Sequence, residues 1–173
     1  YPKLRVGTIE YRNWWKIQKG RILNGYKPSG GMWIPGNYYF YLNFGKIHGL
    51  PIGAKRKTMI SPLYRDQDHE YFLSVHKCKE DGKGLICLKA RRKGFSFMNV
   101  NILLHEWTCY AHSENGLGAQ KEEYVQDFRK KLLLSYNELP NYLKNAMLHN
   151  NEDIMMSGYK QHSIFKIIRK FVI

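Results

Sequence analysis

Apolar positions recur at helical spacing in three stretches of the chain. Tyr11, Trp14, Trp15, Ile17, Ile22 and Leu23, interleaved with Arg12, Lys16, Lys19 and Arg21, predict an amphipathic helix that Gly25 ends. Phe97, Val100, Leu104, Trp107 and Ala111 predict a second. Val125, Phe128 and Leu132 predict a third, from about Gln120 to Leu134. Asp68 to Val75 also fits a helix, and Pro140 suits the first turn of a short helix through Met147. The β-prone runs Trp33-Ile34 and Tyr38-Tyr39-Phe40-Tyr41-Leu42, with Gly30-Gly31 and Pro35-Gly36-Asn37 beside them, read as a hairpin. Glu80 to Gly84 reads as a turn and Leu85-Ile86-Cys87-Leu88 as a short buried strand. Ser163 to Ile173 fits a strand or a helix about equally, with the strand slightly favoured.

Composition narrows the classes. A chain of 173 residues with 43% hydrophobic and 14% aromatic residues has enough apolar surface for a core, which excludes wholesale disorder. No apolar run approaches the roughly 20 residues that cross a bilayer, and no signal-peptide pattern is present. The chain opens on Tyr1, which fits a processed product or a fragment. Cys78, Cys87 and Cys109 are widely spaced without a CxxC pair, as suits a reducing compartment. The formal charge of +14 points to a polyanionic partner: nucleic acid, nucleotide phosphates or an anionic surface.

The segment from Leu85 to Leu104 carries the chemistry. It reads as a strand, then Lys89-Ala90-Arg91-Arg92-Lys93-Gly94-Phe95-Ser96, then a helix. A loop opening a helix presents N–H groups and a partial positive charge to an anion. Gly94 lets backbone pass close to phosphate, and Ser96 places a hydroxyl where Mg²⁺ is held in phosphate loops. Lys89, Arg91, Arg92 and Lys93 add a field suited to a triphosphate. Against the pattern GxxxxGK[ST], Lys89 stands at the first glycine and Phe95 at the lysine.

This octapeptide resembles the variant Walker A motif of tailed-phage large terminases, in which the functional lysine opens the motif. Lys89 matches that lysine, Gly94 the loop glycine, Ser96 the Mg²⁺-coordinating hydroxyl, and Arg92 an arginine often found inside the loop. Tyr11 to Trp15, Tyr39 to Phe44 and Asp68 to Phe72 are similar to N-terminal regions of the same family, so the likeness spans about residues 7 to 110. The resemblance implies an α/β, P-loop (ASCE-type) parallel sheet with helices. An aromatic-rich extension over residues 1–62 would precede a partial ATPase domain over residues 63–173. It implies ATP and Mg²⁺ as ligands, with Lys89 and Arg92 on the β- and γ-phosphates, Lys93 assisting, and backbone near Gly94, Phe95 and Ser96 cradling phosphate. Gln67 is the candidate adenine contact, with an ordinary surface role as its alternative. Implied partners are double-stranded DNA, a portal protein and a small terminase subunit, with a homo-oligomeric ring in the host cytoplasm at the procapsid portal.

The chain departs from that family in several respects. No apolar run ends in the Asp-Glu of a Walker B segment: Glu152-Asp153 follows two asparagines, and Glu106 lies just after the loop. No nuclease carboxylate cluster is evident, and Glu114 to Ala119 reads as too short for the strand expected there. No catalytic residue is therefore assigned, and the chain alone is expected to bind nucleotide without efficient turnover. Two rivals stand beside this reading: a non-catalytic basic nucleic-acid-binding module, and an assembly piece contacting portal or capsid. His105, Cys109 and His112 share a helix face at zinc-ligand types, but core packing accounts for them without a metal.

Overall fold

The computed structural model describes residues 2–90 and 94–144 and the strand segments 147–150, 154–157 and 164–168. The chain is α/β. In order, its described elements are α1 (Ile9–Asn24), α2 (Gly36–Phe44), β1 (Ile47–Gly49), β2 (Thr58–Ile60), α3 (Asp66–Glu80), α4 (Phe95–Cys109), β3 (Glu114–Gly118), α5 (Glu122–Asn137), β4 (Met147–Asn150), β5 (Ile154–Ser157) and β6 (Ile164–Ile168). They form two compact units, the first of Tyr1–Phe40 and Tyr64–Ile86, the second of Tyr41–Leu63 and Cys87–Ile173.

In the first unit, Thr8 caps α1 by accepting the Tyr11 N–H on its hydroxyl, and Trp15, Gln18 and Ile22 form the buried face. Gly25 ends the helix at φ +81°, where a side chain would strike the Trp33 ring and the Ile34 carbonyl. The hairpin expected around residues 33–42 is replaced by an isolated antiparallel bridge, Tyr26 to Ile34, followed by α2. A strand shows alternate residues to opposite faces, whereas Tyr38, Tyr39, Phe40, Tyr41 and Phe44 are all buried. A helix apolar all round is stable only when enclosed, and here the enclosure overrides β propensity. Gly36 makes this possible, because a Cβ there would lie 2.1 Å from the Ile22 carbonyl oxygen at the end of α1.

The hydroxyls carried into this unit are satisfied in place. Tyr39 donates to Gln18 Oε1 at 2.6 Å and receives Arg21 Nη1 at 3.3 Å. Tyr38 stacks on Phe72 at 4.8 Å, and its hydroxyl both donates to the Arg65 carbonyl and accepts the Arg65 N–H, each at 3.1 Å. The Arg65 guanidinium grips Asp68 with Nε–Oδ2 at 2.8 Å, closing the first turn of α3.

The second unit is built on α4 packed against α5. Val100, Leu104, Val125 and Leu132 are fully buried, and Trp107 lies against Tyr136 at 5.3 Å between ring centres. β1 and β2 form a small antiparallel sheet with Ile47 opposite Ile60. A four-strand sheet runs in the order β3-β6-β5-β4, with β3 parallel to β6 and the other pairs antiparallel.

Three expectations are corrected here beyond the hairpin, and the strand reading of the C-terminal run holds. Leu85–Leu88 is not a strand: no other strand pairs with it among the described residues, and Ile86 and Leu88 are 93% and 96% exposed. Glu114–Gly118 is long enough, because β6 supplies a parallel partner for all five residues. After Pro140 the chain makes one turn, closed by the Leu143 and Lys144 N–H groups on the Pro140 carbonyl, and β4 begins at Met147. The C-terminal run is strand β6 over Ile164–Ile168, with 169–173 outside the described residues. A parallel sheet feeding the Lys89–Ser96 loop is not seen among the described residues, where parallel pairing joins β3 to β6.

Two glycines give opposite expected outcomes. Gly20 lies inside α1 with open space at its missing Cβ, so Gly20→Ala should stabilise the chain by about 0.5–1 kcal/mol. Gly36→Ala should destabilise it, because backbone occupies the position of the added methyl. Urea denaturation measures both, and shifts of the same sign would contradict this packing.

Candidate phosphate-binding site

α4 starts where Gly94 takes φ 76° and ψ 3°, a left-handed conformation that glycine adopts without a Cβ penalty. The Gly94 carbonyl accepts the Phe97 and Met98 N–H groups at 3.0 and 3.2 Å, which closes the first turn. The N–H groups ahead of that turn have no intrahelical acceptor, and the helix dipole concentrates partial positive charge there. The first turn contains no acidic residue and no side chain caps it, so nothing within the helix start opposes an incoming anion.

Ser96 is exposed, with Phe95 half-buried beside it. Lys89 is also exposed, and its Nζ lies 5.4 Å from the centre of the Phe95 ring, within the range of a cation–π contact. Phe95, which breaks the usual lysine position of a phosphate loop, thus holds an ammonium from six residues upstream near the helix start. Sequence reading treated the two residues separately. The available signal was a cation and an aromatic on either side of a glycine turn.

The helix behind the site is firmly seated. Met98, Val100, Leu104 and Trp107 bury one face of α4, and Asn101 Nδ2 donates to the Phe97 carbonyl at 2.8 Å. Gly45 packs so closely on Asn101 that a Cβ would lie 2.6 Å from Oδ1. Lys131 on α5 lies 5.9 Å from the Phe97 ring centre and pairs with Asp127.

The structure therefore brings together Lys89, Gly94, Phe95 and Ser96 in the second unit. Arg91, Arg92 and Lys93 lie outside the described residues, as does the Glu152-Asp153 pair weighed for Walker B. Gln67 belongs to the first unit, exposed in the first turn of α3 next to the Arg65–Asp68 clasp. His105 is buried on α4 with Nδ1 3.5 Å from Glu106 and its ring against Tyr110, while His112 is exposed with φ 57°. Among the described residues no group of three or more His, Cys, Asp or Glu side chains is placed to hold a metal ion. Among the same residues no helix is long and apolar enough to cross a membrane. No family model matches the chain, and no curated protein matches it.

Tyr38, which fixes the start of α3, has its phenol pushed up to about 12 from 10.0. Burial is the main cause; the Arg65 hydrogen bond pulls the other way, and the Asp68 carboxylate adds to the rise. The neutral phenol is thus favoured in the folded chain, so its contribution to stability is complete below pH 10 and is lost as pH rises through 12. Melting temperature should fall less steeply between pH 10 and 12 in Tyr38→Phe than in the parent. Parallel pH curves would contradict this role for the hydroxyl.

Proposed function

We propose that this chain is the nucleotide-binding N-terminal part of a phage DNA-packaging ATPase, taking Mg–ATP at the start of α4. The observation that carries the reading is the left-handed Gly94 turn with the Lys89 ammonium set on Phe95 beside an acid-free helix start. On this reading Lys89 meets the terminal phosphates, the backbone N–H groups of the first turn cradle phosphate oxygens, and Ser96 offers its hydroxyl to Mg²⁺. Mg²⁺ held there would neutralise phosphate charge. The exposed, acid-free surroundings of Ser96 and Lys89 suit both ligands, because neither group is committed to an internal ion pair among the described residues.

The resemblance to large terminases supplies the wider setting: a P-loop-type ATPase with double-stranded DNA as the cargo. Portal protein and a small terminase subunit are its partners in this setting, and the ring is homo-oligomeric.

Equilibrium titration with Mg–ATP at one fixed salt concentration tests the reading. The parent should bind saturably, and Lys89→Ala should weaken binding by about tenfold to a hundredfold, the scale of one lost charge-assisted phosphate contact at roughly 1.5–3 kcal/mol. Equal affinity in the two chains would overturn the assignment.

A further inference from the structure

The β1–β2 hairpin is a second cationic feature, independent of the α4 start. Acidic residues are absent from the whole stretch between Glu10 and Asp66, and within residues 45–64 the charged side chains are Lys46, Lys55, Arg56 and Lys57. The last three are consecutive and exposed in the connection between the strands, and none forms an ion pair among the described residues. The same connection puts two apolar side chains in solvent: Leu50 is 58% exposed and Ile52 fully so. Gly53 turns the chain at φ +77°, and the Ala54 N–H closes on the Pro51 carbonyl at 3.0 Å.

The base of the hairpin is anchored. Lys46 Nζ donates to Ser61 Oγ at 2.9 Å, the Ser135 hydroxyl of α5 donates to the Lys46 carbonyl at 3.2 Å, and Pro62 is buried. An anchored two-strand ribbon with cations and an apolar tip, and no acid to neutralise it, has no internal reason for that composition.

We propose that this hairpin is a double-stranded DNA contact, with Lys55, Arg56 and Lys57 on backbone phosphates and Ile52 against the bases of a groove. A two-strand ribbon is narrow enough to enter a groove, and apolar side chains at such tips make base contacts that cations cannot. The charge complements a duplex along several phosphates at once, whereas a single nucleotide would engage fewer of these cations. The inference names the DNA-contacting element of the packaging reading and rests on that reading for its partner, yet it uses none of the residues at the start of α4.

The test is binding of a mixed-sequence duplex, without nucleotide, over a series of salt concentrations. Replacing Lys55, Arg56 and Lys57 together by Gln should lower the slope of log K against log salt by about 2.7, from roughly 0.9 per phosphate contact for three contacts. An equal charge change on α1, Arg12, Lys16 and Lys19 to Gln, should lower it clearly less. Ile52→Ser should weaken binding about tenfold or more at unchanged slope, the scale of one buried Ile side chain. An unchanged slope in the hairpin variant, or equal losses in the two triple variants, would overturn the proposal. So would unaltered duplex binding in Ile52→Ser combined with Ile52-dependent sedimentation with phosphatidylserine vesicles, which would assign the tip to a lipid surface. Repeating the salt series in Lys89→Ala keeps the two proposals apart: the hairpin slope difference should persist whether or not ATP binding is lost.

Discussion

The enclosure of α2 is the constraint on which the structure depends. Its run of Tyr38, Tyr39, Phe40, Tyr41 and Phe44 buries rings on every side, and it contributes residues to both compact units. With these rings buried and Asn43 left as the exposed position, the surroundings must supply apolar walls and partners for the buried hydroxyls. In the first unit this demand explains why Gln18 is buried on α1, why Arg21 lies over the Tyr26 ring at 4.1 Å, and why Arg65 stands just before α3. In the second unit Gly45 follows α2 directly, and its close approach to Asn101 seats the middle of α4.

Charge is organised on the same frame. The buried interior takes aromatic and aliphatic groups, with the acidic Asp68 held by Arg65. The excess cations stay on exposed positions of α1, the β1–β2 connection and the Lys89 approach to α4. Surface lysines far from any acid gain nothing from internal pairing. A nucleotide and a duplex make different demands of such cations. The first needs a converging backbone cradle, which Gly94 and the α4 dipole offer; the second needs a row of charges, which the hairpin offers.

Much of the helical skeleton was legible in the sequence. Trp15 and Ile22 on α1 and Val100, Leu104 and Trp107 on α4 follow helical periodicity, and Gly25 stops α1 as its conformational freedom predicts. α2 was not legible, because rings buried all round the helix leave no clear period to read and its tyrosines favour strands in isolation. Leu85–Leu88 misled in the opposite direction: four apolar residues read as a buried strand, yet burial needs partners that no short pattern specifies. At the candidate site, the helix start after Gly94 was legible, with Ser96 in its first turn. The contact of Lys89 with Phe95 was not, since a spatial approach of two side chains is not specified by their order in the chain.

The most direct test is to follow the backbone amide signals of α4 by NMR while Mg–ATP is added. Binding at the helix start predicts saturable shifts concentrated at Gly94, Phe95 and Ser96, fading along α4 and small at the β1–β2 connection. Shifts centred on Lys55 to Lys57 that vanish as salt is raised, with Gly94 to Ser96 unmoved, would contradict it.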